Sequence, residues 1–468
     1  MSLATDHQRV STARKIAYGL PAFALAVVGI PVYVYLPKFY TDVVGIDVLA
    51  LGTILFAVRI FDAVTDPAMG YLSDRTRSVF GRRRPYIALG AVCLAAVMLL
   101  LFNPPVMTSA AATAWFAAGI FGLFLFWTVV TVPYESLGPE ITFDYRERVG
   151  LFALRDGLLI AGTLAAAASP ALVRGWLGAE GQAADERAVF FWISTAYAPL
   201  IVATAWGCVA VVKERPAAPP VVQRSLLDGL RQVRANRPFL ILLAAYTVSA
   251  VGNNLPATLI LYYVQYVLQS PHADLFLLLY FVTGILFLPA WIILARRIGK
   301  KEAWLAAMAV NSGAFLGVFF LGPGDAMLYG ILVFLSGIGF GATLAIPSAM
   351  QADVIDYDEL LSGERREGQY IGLWSIAKKL AAALGIGVGL TLLGLAGYTP
   401  NTVQNETVLW SLRILYALVP SVCNLIGMGI ALAYPIDSHA HRRIREAAAR
   451  RRSGQAYTDP LAMRSAAG

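Results

Sequence analysis

The chain of 468 residues is 58% hydrophobic and only 14% charged, with a formal net charge of +8 and a mean hydropathy of +0.64. Soluble domains carry about 25% charged residues and under about 50% apolar ones, and disordered chains have low hydrophobicity. The composition therefore excludes both classes and indicates a protein that crosses a membrane several times.

Long apolar stretches follow one another along almost the whole chain. A helix needs about 20 apolar residues to span a bilayer core, and twelve such stretches are present. They are predicted near 17–40, 49–72, 85–103, 110–137, 149–173, 188–212, 238–267, 273–296, 303–321, 326–350, 370–396 and 410–434. We predict an all-α fold of twelve transmembrane helices, with six-helix bundles at 1–212 and 238–436, a cytoplasmic central loop at 213–237 and a basic cytoplasmic tail at 437–468.

The basic residues predict the orientation of these helices. If both termini lie on one side, the loops and tails of that side hold 29 of the 37 Lys and Arg residues, and the opposite loops hold Lys38, Arg174 and Arg187. This bias predicts cytoplasmic termini in an inner (cytoplasmic) membrane. The basic run Arg450–Arg452 fits attraction to anionic membrane lipid better than nucleic-acid binding.

The two halves of the sequence echo one another. Gly81–Arg84 follows the second predicted helix and Gly299–Lys301 follows the eighth, 218 residues later. Asp144–Glu147 follows the fourth helix and Asp356–Glu359 the tenth, 212 residues later. Homologous halves that face each other are typical of transporters, with a small-molecule site between them. We expect a small-molecule substrate and a carrier that acts as a monomer.

Other functional classes find little support. The three cysteines lie singly in apolar stretches, and the four histidines fall in tails or a loop, so neither a disulfide framework nor a zinc site is indicated. A membrane enzyme would also need a catalytic cluster or a phosphate-binding loop. We expect no enzyme activity and no cofactor.

Charged residues inside membrane helices are expensive and mark functional sites. In the second helix, Asp62 and Asp66 are four residues apart and share one face, with Arg59 one turn before Asp62. Two carboxylates this close repel each other unless a cation or proton lies between them. The pair could therefore bind Na⁺ or H⁺. The alternative is that Arg59 and Asp62 form a structural ion pair of which Asp66 is not a part.

Polar residues of the fourth helix extend this candidate site. Thr128, Thr131 and Glu135 follow one another at three- and four-residue spacing. A threonine hydroxyl is a suitable cation ligand, and Glu135 is a third intramembrane carboxylate. The alternative for Glu135 is a place at the cytoplasmic helix end, since Gly138 and Pro139 follow closely.

Further candidates lie elsewhere in the chain. Arg155 lies near the start of the fifth helix and could simply pair with loop charges. The eleventh helix carries Lys378 and Lys379, one of which must face inward and could compensate the carboxylates when the cation leaves. In the seventh helix, Gly252–Asn254 followed by Pro256 predicts a break that lines a cavity. The remaining substrate-cavity candidates are Tyr33 and Trp374.

Several sequence strings resemble the glycoside–pentoside–hexuronide:cation symporters, the melibiose-permease branch of the major facilitator superfamily. They are RIFDAVTDPAMGYLSDRTRSVFGRRRPYI, FYTDVVGI, VPYESLGPEITFDYRERVGL and ADVIDYDELLSGERREGQYIGLWSIAKKL. The resemblance implies alternating access of two six-helix bundles and symport driven by Na⁺, H⁺ or Li⁺.

The resemblance also implies roles for particular residues. Asp62 and Asp66 fall on the family's cation-binding aspartates, Thr128 on a nearby hydroxyl and Lys379 on a helix 11 lysine, while Arg155 lies within one residue of a helix 5 arginine. The Gly70–Pro85 loop is expected to act in gating. Its charged residues are Asp74, Arg75, Arg82 and Arg83.

The sugar-binding positions of melibiose-type members are not retained. Two carboxylates that hold sugar hydroxyls fall on Ala26 and Thr131, and two tryptophans fall on Glu135 and Leu344. The cation machinery is thus retained while the cargo is altered. Three interpretations stay open: a symporter of a small solute, by family default a sugar; a symporter of lysolipids or other amphiphiles; and a transport-inactive sensor or scaffold.

Overall fold

The computed structural model of the chain describes residues 10–142, 145–178, 183–214, 233–234, 236–363, 366–453 and 455–461. Its regular structure there is entirely helical. The helices are α1 (Thr12–Val44), α2 (Val48–Arg75), α3 (Arg84–Phe102), α4 (Ser109–Ile141), α5 (Tyr145–Leu177), α6 (Ala183–Val211), α7 (Arg237–Val267), α8 (Ala273–Ile298), α9 (Lys300–Val318), α10 (Ala326–Ser362), α11 (Glu367–Leu395), α12 (Glu406–Leu432) and α13 (Ser438–Arg452).

Several helices begin at a polar residue whose side chain accepts a backbone N–H of the first turn. Asp47 caps α2 through the amide of Ala50 at 2.9 Å, and Asp437 caps α13 through the amide of Ala440 at 2.7 Å. Asn236 caps α7 in the same way. Such caps satisfy amides that have no partner within the helix, which explains why the chain changes direction at these residues.

Eleven of the described helices are long and apolar enough to cross a membrane. The helix α9 is not among them, although it coincides with the ninth predicted stretch, because its first turn consists of Lys300, Lys301 and Glu302. Many helices run further than the sequence indicated. For example, α4 extends to Ile141 through Gly138 and Pro139, and α10 extends to Ser362, where Gly363 with a φ of +78° ends it.

The chain divides into two compact units. Unit 1 comprises Met1–Pro219 and Leu390–Asn405, and unit 2 comprises Pro220–Gly389 and Glu406–Gly468. The end of α11 and the loop after it therefore belong with the first six helices. The predicted central loop at 213–237 lies largely outside the described residues, and so does Asp144 of the second sequence echo.

The basic tail contains a helix that the sequence analysis did not predict. In α13, Ala440, Ile444 and Ala447 are buried, so this side packs against unit 2. His441 Nε2 lies 3.0 Å from an Asp356 carboxylate oxygen of α10. The apolar side and this polar contact fix α13 on the end of α10.

Candidate functional site

Two helices of unit 1 bring a carboxylate pair and a hydroxyl together. Asp62 and Asp66 lie on one face of α2, and Thr128 of α4 lies between them, with Oγ1 at 3.2 Å from Asp62 Oδ1 and 2.9 Å from Asp66 Oδ1. Thr128 is 1% exposed and Asp62 is 4% exposed. The four-residue spacing on α2 thus places both acids against one point of α4.

A cation of the protein stands beside this cluster. Arg59 Nη1 lies 4.0 Å from Asp62 Oδ2 and donates to the Tyr33 hydroxyl at 3.1 Å. The guanidinium lies over the Tyr33 ring at 4.2 Å and the Phe124 ring at 4.7 Å. Aromatic faces attract a guanidinium, so the two rings hold Arg59 at the edge of the pair.

The cluster offers oxygen ligands to a small hard cation. Asp62, Asp66 and Thr128 contribute carboxylate and hydroxyl oxygens, which alkali and alkaline-earth ions prefer over softer metals. Among the described residues no group of three or more His, Cys, Asp or Glu residues is placed to hold a metal ion. Two carboxylates and one hydroxyl suit a small hard cation or a shared proton.

The other polar residues of α4 lie just beyond this cluster. Thr131 is one turn after Thr128, and its Oγ1 is buried without a hydrogen-bond partner in the described part of the chain. Glu135 follows one turn later, well before the helix end at Ile141, with an exposed side chain. A hydroxyl without a partner next to the carboxylate pair is available to a ligand.

Arg155 does not join the carboxylate pair. Its Nη2 lies 2.7 Å from Asp156 Oδ1, and its guanidinium lies over the Phe152 ring at 4.7 Å. This partner is the next residue of α5, whereas the sequence analysis left pairing with loop charges as the alternative.

The candidates of α10 and α11 belong to unit 2. Trp374 is 8% exposed and stacks on Tyr246 with ring centroids 4.2 Å apart. Lys379 is partly buried. The side chain of Leu344 lies outside the described part of the structure. The stack packs α7 against α11.

The expected break in α7 is wrong, because the chain stays helical from Arg237 through Tyr262. Gly252 serves close packing instead, since a methyl group there would lie 2.6 Å from Cβ of Cys423 on α12. Neighbouring helices can offset the backbone bond that a proline such as Pro256 removes in a membrane helix. Gly252 therefore allows α7 and α12 to approach each other closely, and Pro256 does not interrupt α7.

Asn253, which is half-buried, is the centre of a polar network. Its Oδ1 accepts from Asn424 Nδ2 at 3.1 Å and from Asn311 Nδ2 at 3.3 Å, and its Nδ2 donates to Ser249 Oγ at 3.2 Å. Ser336 donates to Asn311 at 2.7 Å. The network joins α7, α9, α10 and α12. Asn254 donates to the Ala250 carbonyl of its own helix.

The loop between α2 and α3 is held by ion pairs within unit 1. Arg83 Nη2 lies 2.7 Å from Asp74 Oδ1, and its Nη1 lies 2.7 Å from Glu140 Oε1 at the end of α4. Arg82 also pairs with Glu140, whereas Arg75 packs on Tyr71 of its own helix. Arg83 thus connects the loop between α2 and α3 to the ends of α2 and α4.

Sequence reasoning missed several groups that shape these sites. The Glu214 carboxylate accepts hydrogen bonds from the backbone N–H groups of Arg82, Arg83 and Arg84 at 2.7–2.9 Å. It therefore lies at the start of α3, where the helix dipole favours a negative charge. Its only signal was an acidic residue just after the sixth apolar stretch. Phe124 carries no polar signal at all.

The sequence echo has a structural counterpart. In unit 2, Lys300 Nζ at the start of α9 lies 2.7 Å from Asp353 Oδ1 of α10. In unit 1, Arg83 at the start of α3 pairs with Glu140 of α4. In each unit, a basic residue at the start of one helix pairs with a carboxylate in the last part of the next helix.

Known proteins are similar to this chain over nearly its whole length. It is 28% identical over 462 residues to the inner membrane symporter YicJ of Escherichia coli (strain K12), covering 96% of this chain and 98% of that protein. It is 28% identical over 419 residues to the glucuronide carrier protein homolog of the same organism, covering 88% and 89%. The nucleoside transporter NupG has a similar fold, with a TM-score of 0.66 at 13% identity, covering 91% of this chain and 100% of that one.

A family model supports the same assignment. The model described as MFS/sugar transport protein matches residues 17–438, which include the carboxylate pair, the gating loop and all the helices from α2 to α12. The resemblance seen in the sequence strings is confirmed: the chain belongs to the MFS/sugar transport protein family.

Proposed function

We propose that the protein is a secondary active transporter that couples the entry of Na⁺ or H⁺ to the uptake of a small organic solute by alternating access. The observation that carries this proposal is the cluster of buried Asp62 and Thr128 with half-buried Asp66. Its oxygens converge on one point within a membrane helix pair, where an uncompensated charge would be costly. The symporter named among the relatives supports the same activity.

The proposed topology has twelve transmembrane helices, with α9 as the ninth, and both termini in the cytoplasm of an inner membrane. It is supported by the location of 29 of the 37 basic residues in the loops and tails of one side. The proposed carrier acts as a monomer of two six-helix bundles with contact to membrane lipid.

The proposed cargo is a glycoside-like solute, which the name of the glucuronide carrier homolog supports. Ala26, Thr131 and Glu135 stand where melibiose-type relatives bind sugar hydroxyls and stack on the ring. The Thr131 hydroxyl is the group of unit 1 that we propose for the solute. An amphiphile is the second candidate, favoured by the apolar residues Ala26 and Leu344 in place of a carboxylate and a tryptophan.

Uptake into proteoliposomes tests the coupling. Vesicles with an inward Na⁺ or H⁺ gradient are supplied with a panel of labelled glycosides, glucuronides and lysolipids. The proposal predicts uphill accumulation of one class, abolished by an ionophore that collapses the gradient. Asp47→Asn serves as the matched control for Asp62→Asn, because Asp47 lies at the start of α2 and asparagine caps a helix equally well. Equal accumulation with and without every gradient would contradict symport.

A further inference from the structure

The FYTDVVGI string at the end of α1 has no part in the cation cluster. Residues Phe39–Val44 form a wide helical turn at the end of α1. The turn ends at Gly45, whose φ of +88° is a conformation that favours glycine. Asp42 is the charged residue of this turn. It pairs with Lys38 one turn earlier, and its Oδ1 accepts from the Thr41 hydroxyl at 2.7 Å.

Asp42 also binds a segment from the far end of the sequence. The Tyr398 hydroxyl donates to Asp42 Oδ1 at 2.7 Å, and Asn401 Nδ2 donates to the Asp42 carbonyl oxygen at 2.7 Å. Tyr398 is 7% exposed. We name Lys38, Asp42, Tyr398 and Asn401 the outer clamp.

The helices beside the outer clamp are in close contact. A methyl group on Gly52 of α2 would lie 2.9 Å from the amide nitrogen of Thr391 on α11, and one on Gly394 would lie 3.0 Å from Leu49 Cβ. Leu390, at this contact, is fully buried. The clamp and this contact together hold Leu390–Asn405 in unit 1, while the preceding part of α11 belongs to unit 2.

The segment that enters the clamp is itself ordered by local bonds. Gln404 accepts the Thr399 amide at 3.3 Å and donates to the Thr402 carbonyl at 2.9 Å. Asn401 adopts a positive φ of 57°, which asparagine tolerates better than most residues. Tyr398 and Asn401 are therefore presented to Asp42 by a defined loop.

We propose that the outer clamp is a gate that closes the non-cytoplasmic face of the carrier and that its release accompanies opening to that side. The inference rests on the proposed function, whose topology places the end of α1 and the α11–α12 loop outside the cell. Leu390–Asn405 continues α11 from unit 2, so an opening at this face separates this segment from α1 and α2.

The charges of the clamp suit reversible release. When Tyr398 and Asn401 leave, Asp42 keeps Lys38 and Thr41, which lie on its own helix. No buried carboxylate is left without a partner, and the groups that separate are a neutral hydroxyl and a neutral amide. The Tyr398 bond has a charged carboxylate as its acceptor and is worth about a tenfold population shift. The Asn401 bond has a neutral carbonyl as its acceptor and is worth less.

The labelling rate of a cysteine at a buried position measures the opening of this face directly. Leu390→Cys is placed in a chain whose Cys93, Cys208 and Cys423 are changed to alanine, and intact cells are treated with a membrane-impermeant methanethiosulfonate sulfonate. We expect slow labelling in this background and about tenfold faster labelling when Tyr398→Phe is added. Tyr40→Phe is the matched control, because its hydroxyl donates to Leu101 on α3 at 2.6 Å and not to the α11 segment.

Unchanged labelling with Tyr398→Phe and Asn401→Ala would overturn the gate, as would equal acceleration by Tyr40→Phe. Labelling from the cytoplasmic side alone would overturn its outward location. These rates need no transported solute. If the protein transported none of the tested solutes, this would count against the proposed function. The labelling rates would still show whether the outer clamp closes this face.

A cross-link tests the functional consequence. Leu49→Cys with Gly394→Cys brings two Cβ atoms close to the separation of a disulfide. The oxidised pair is expected to lose more than about 90% of its uptake, with recovery after reduction. Full uptake by the oxidised protein would overturn the gate.

Discussion

Arg59 lies one helical turn before Asp62, and its Nη1 stands 4.0 Å from Asp62 Oδ2. The guanidinium is held there by the Tyr33 hydroxyl and by the faces of Tyr33 and Phe124. It is close enough to lower the energy of an ionised Asp62, while Thr128 rather than Arg59 occupies the position between the two acids. Arg59 therefore stabilises the carboxylate pair without blocking it.

This position predicts the effect of removing the charge. Arg59→Gln takes away the positive charge that stabilises the cation-free pair, so the occupied site is favoured. The cation concentration for half-saturation should fall about tenfold, and turnover should fall because release is slower. Cation-dependent stabilisation of the purified protein measures the affinity. Arg59→Lys keeps the charge and should stay near the parent; weaker cation binding by Arg59→Gln would contradict the electrostatic account.

The gating loop predicts a conformational effect. Asp74→Asn removes one partner of Arg83, which keeps Glu140 and the Ser136 carbonyl. We expect a shift of the access equilibrium by about 1–2 kcal/mol rather than the loss of a ligand. Substrate affinities measured in right-side-out and inside-out vesicles should change unequally. Equal weakening on both sides would show that Asp74 does not act in gating.

The buried network of unit 2 predicts a cost in stability. Asn253→Ala leaves the amides of Asn311 and Asn424 without their shared acceptor, and a buried polar group without a partner costs about 1–3 kcal/mol. Its melting temperature in detergent should fall clearly below that of Asn254→Ala, whose amide donates only to its own helix. If Asn253→Ala instead lost solute binding with unchanged melting, Asn253 would be a ligand group.

Helical periodicity was sufficient to predict the core of the candidate site. Asp62 and Asp66 share a face because they are four residues apart, and Thr128 was singled out as a hydroxyl of a neighbouring helix. The position of Arg59 relative to Asp62 also follows from the sequence. Its restraint by Phe124 does not, because an apolar residue in an apolar helix carries no signal of which neighbour it meets.

Tertiary pairing explains what the sequence left unpredicted. Asn253 and Pro256 suggested a broken helix, but the partners that satisfy Asn253 lie on α9 and α12, far away in the chain. Glu214 and Tyr398 also act on residues more than 100 positions away. Local sequence patterns predict which residues are energetically costly inside a membrane. They do not predict which group elsewhere in the chain offsets that cost.

The altered sugar positions predict the selectivity. Ala26 and Thr131 replace two carboxylates that accept sugar hydroxyls in melibiose-type relatives, and a hydroxylated ligand loses much affinity when its paired acceptors are missing. We expect no saturable uptake of melibiose, lactose or simple xylosides. Uptake assays with the labelled sugars check this expectation, and saturable, cation-dependent transport of any of them would contradict it.

Cation binding to the purified protein tests the central claim, that Asp62, Asp66 and Thr128 hold the coupling ion. Melting temperatures are measured while Na⁺ is titrated and, without Na⁺, while the pH is lowered, in the parent, Asp62→Asn, Asp66→Asn and the control Asp47→Asn. The account predicts saturable stabilisation of the parent and of Asp47→Asn by one of the two ions, and its loss in Asp62→Asn and Asp66→Asn with folding retained. The same cation-dependent stabilisation in both site variants as in the parent would contradict the account.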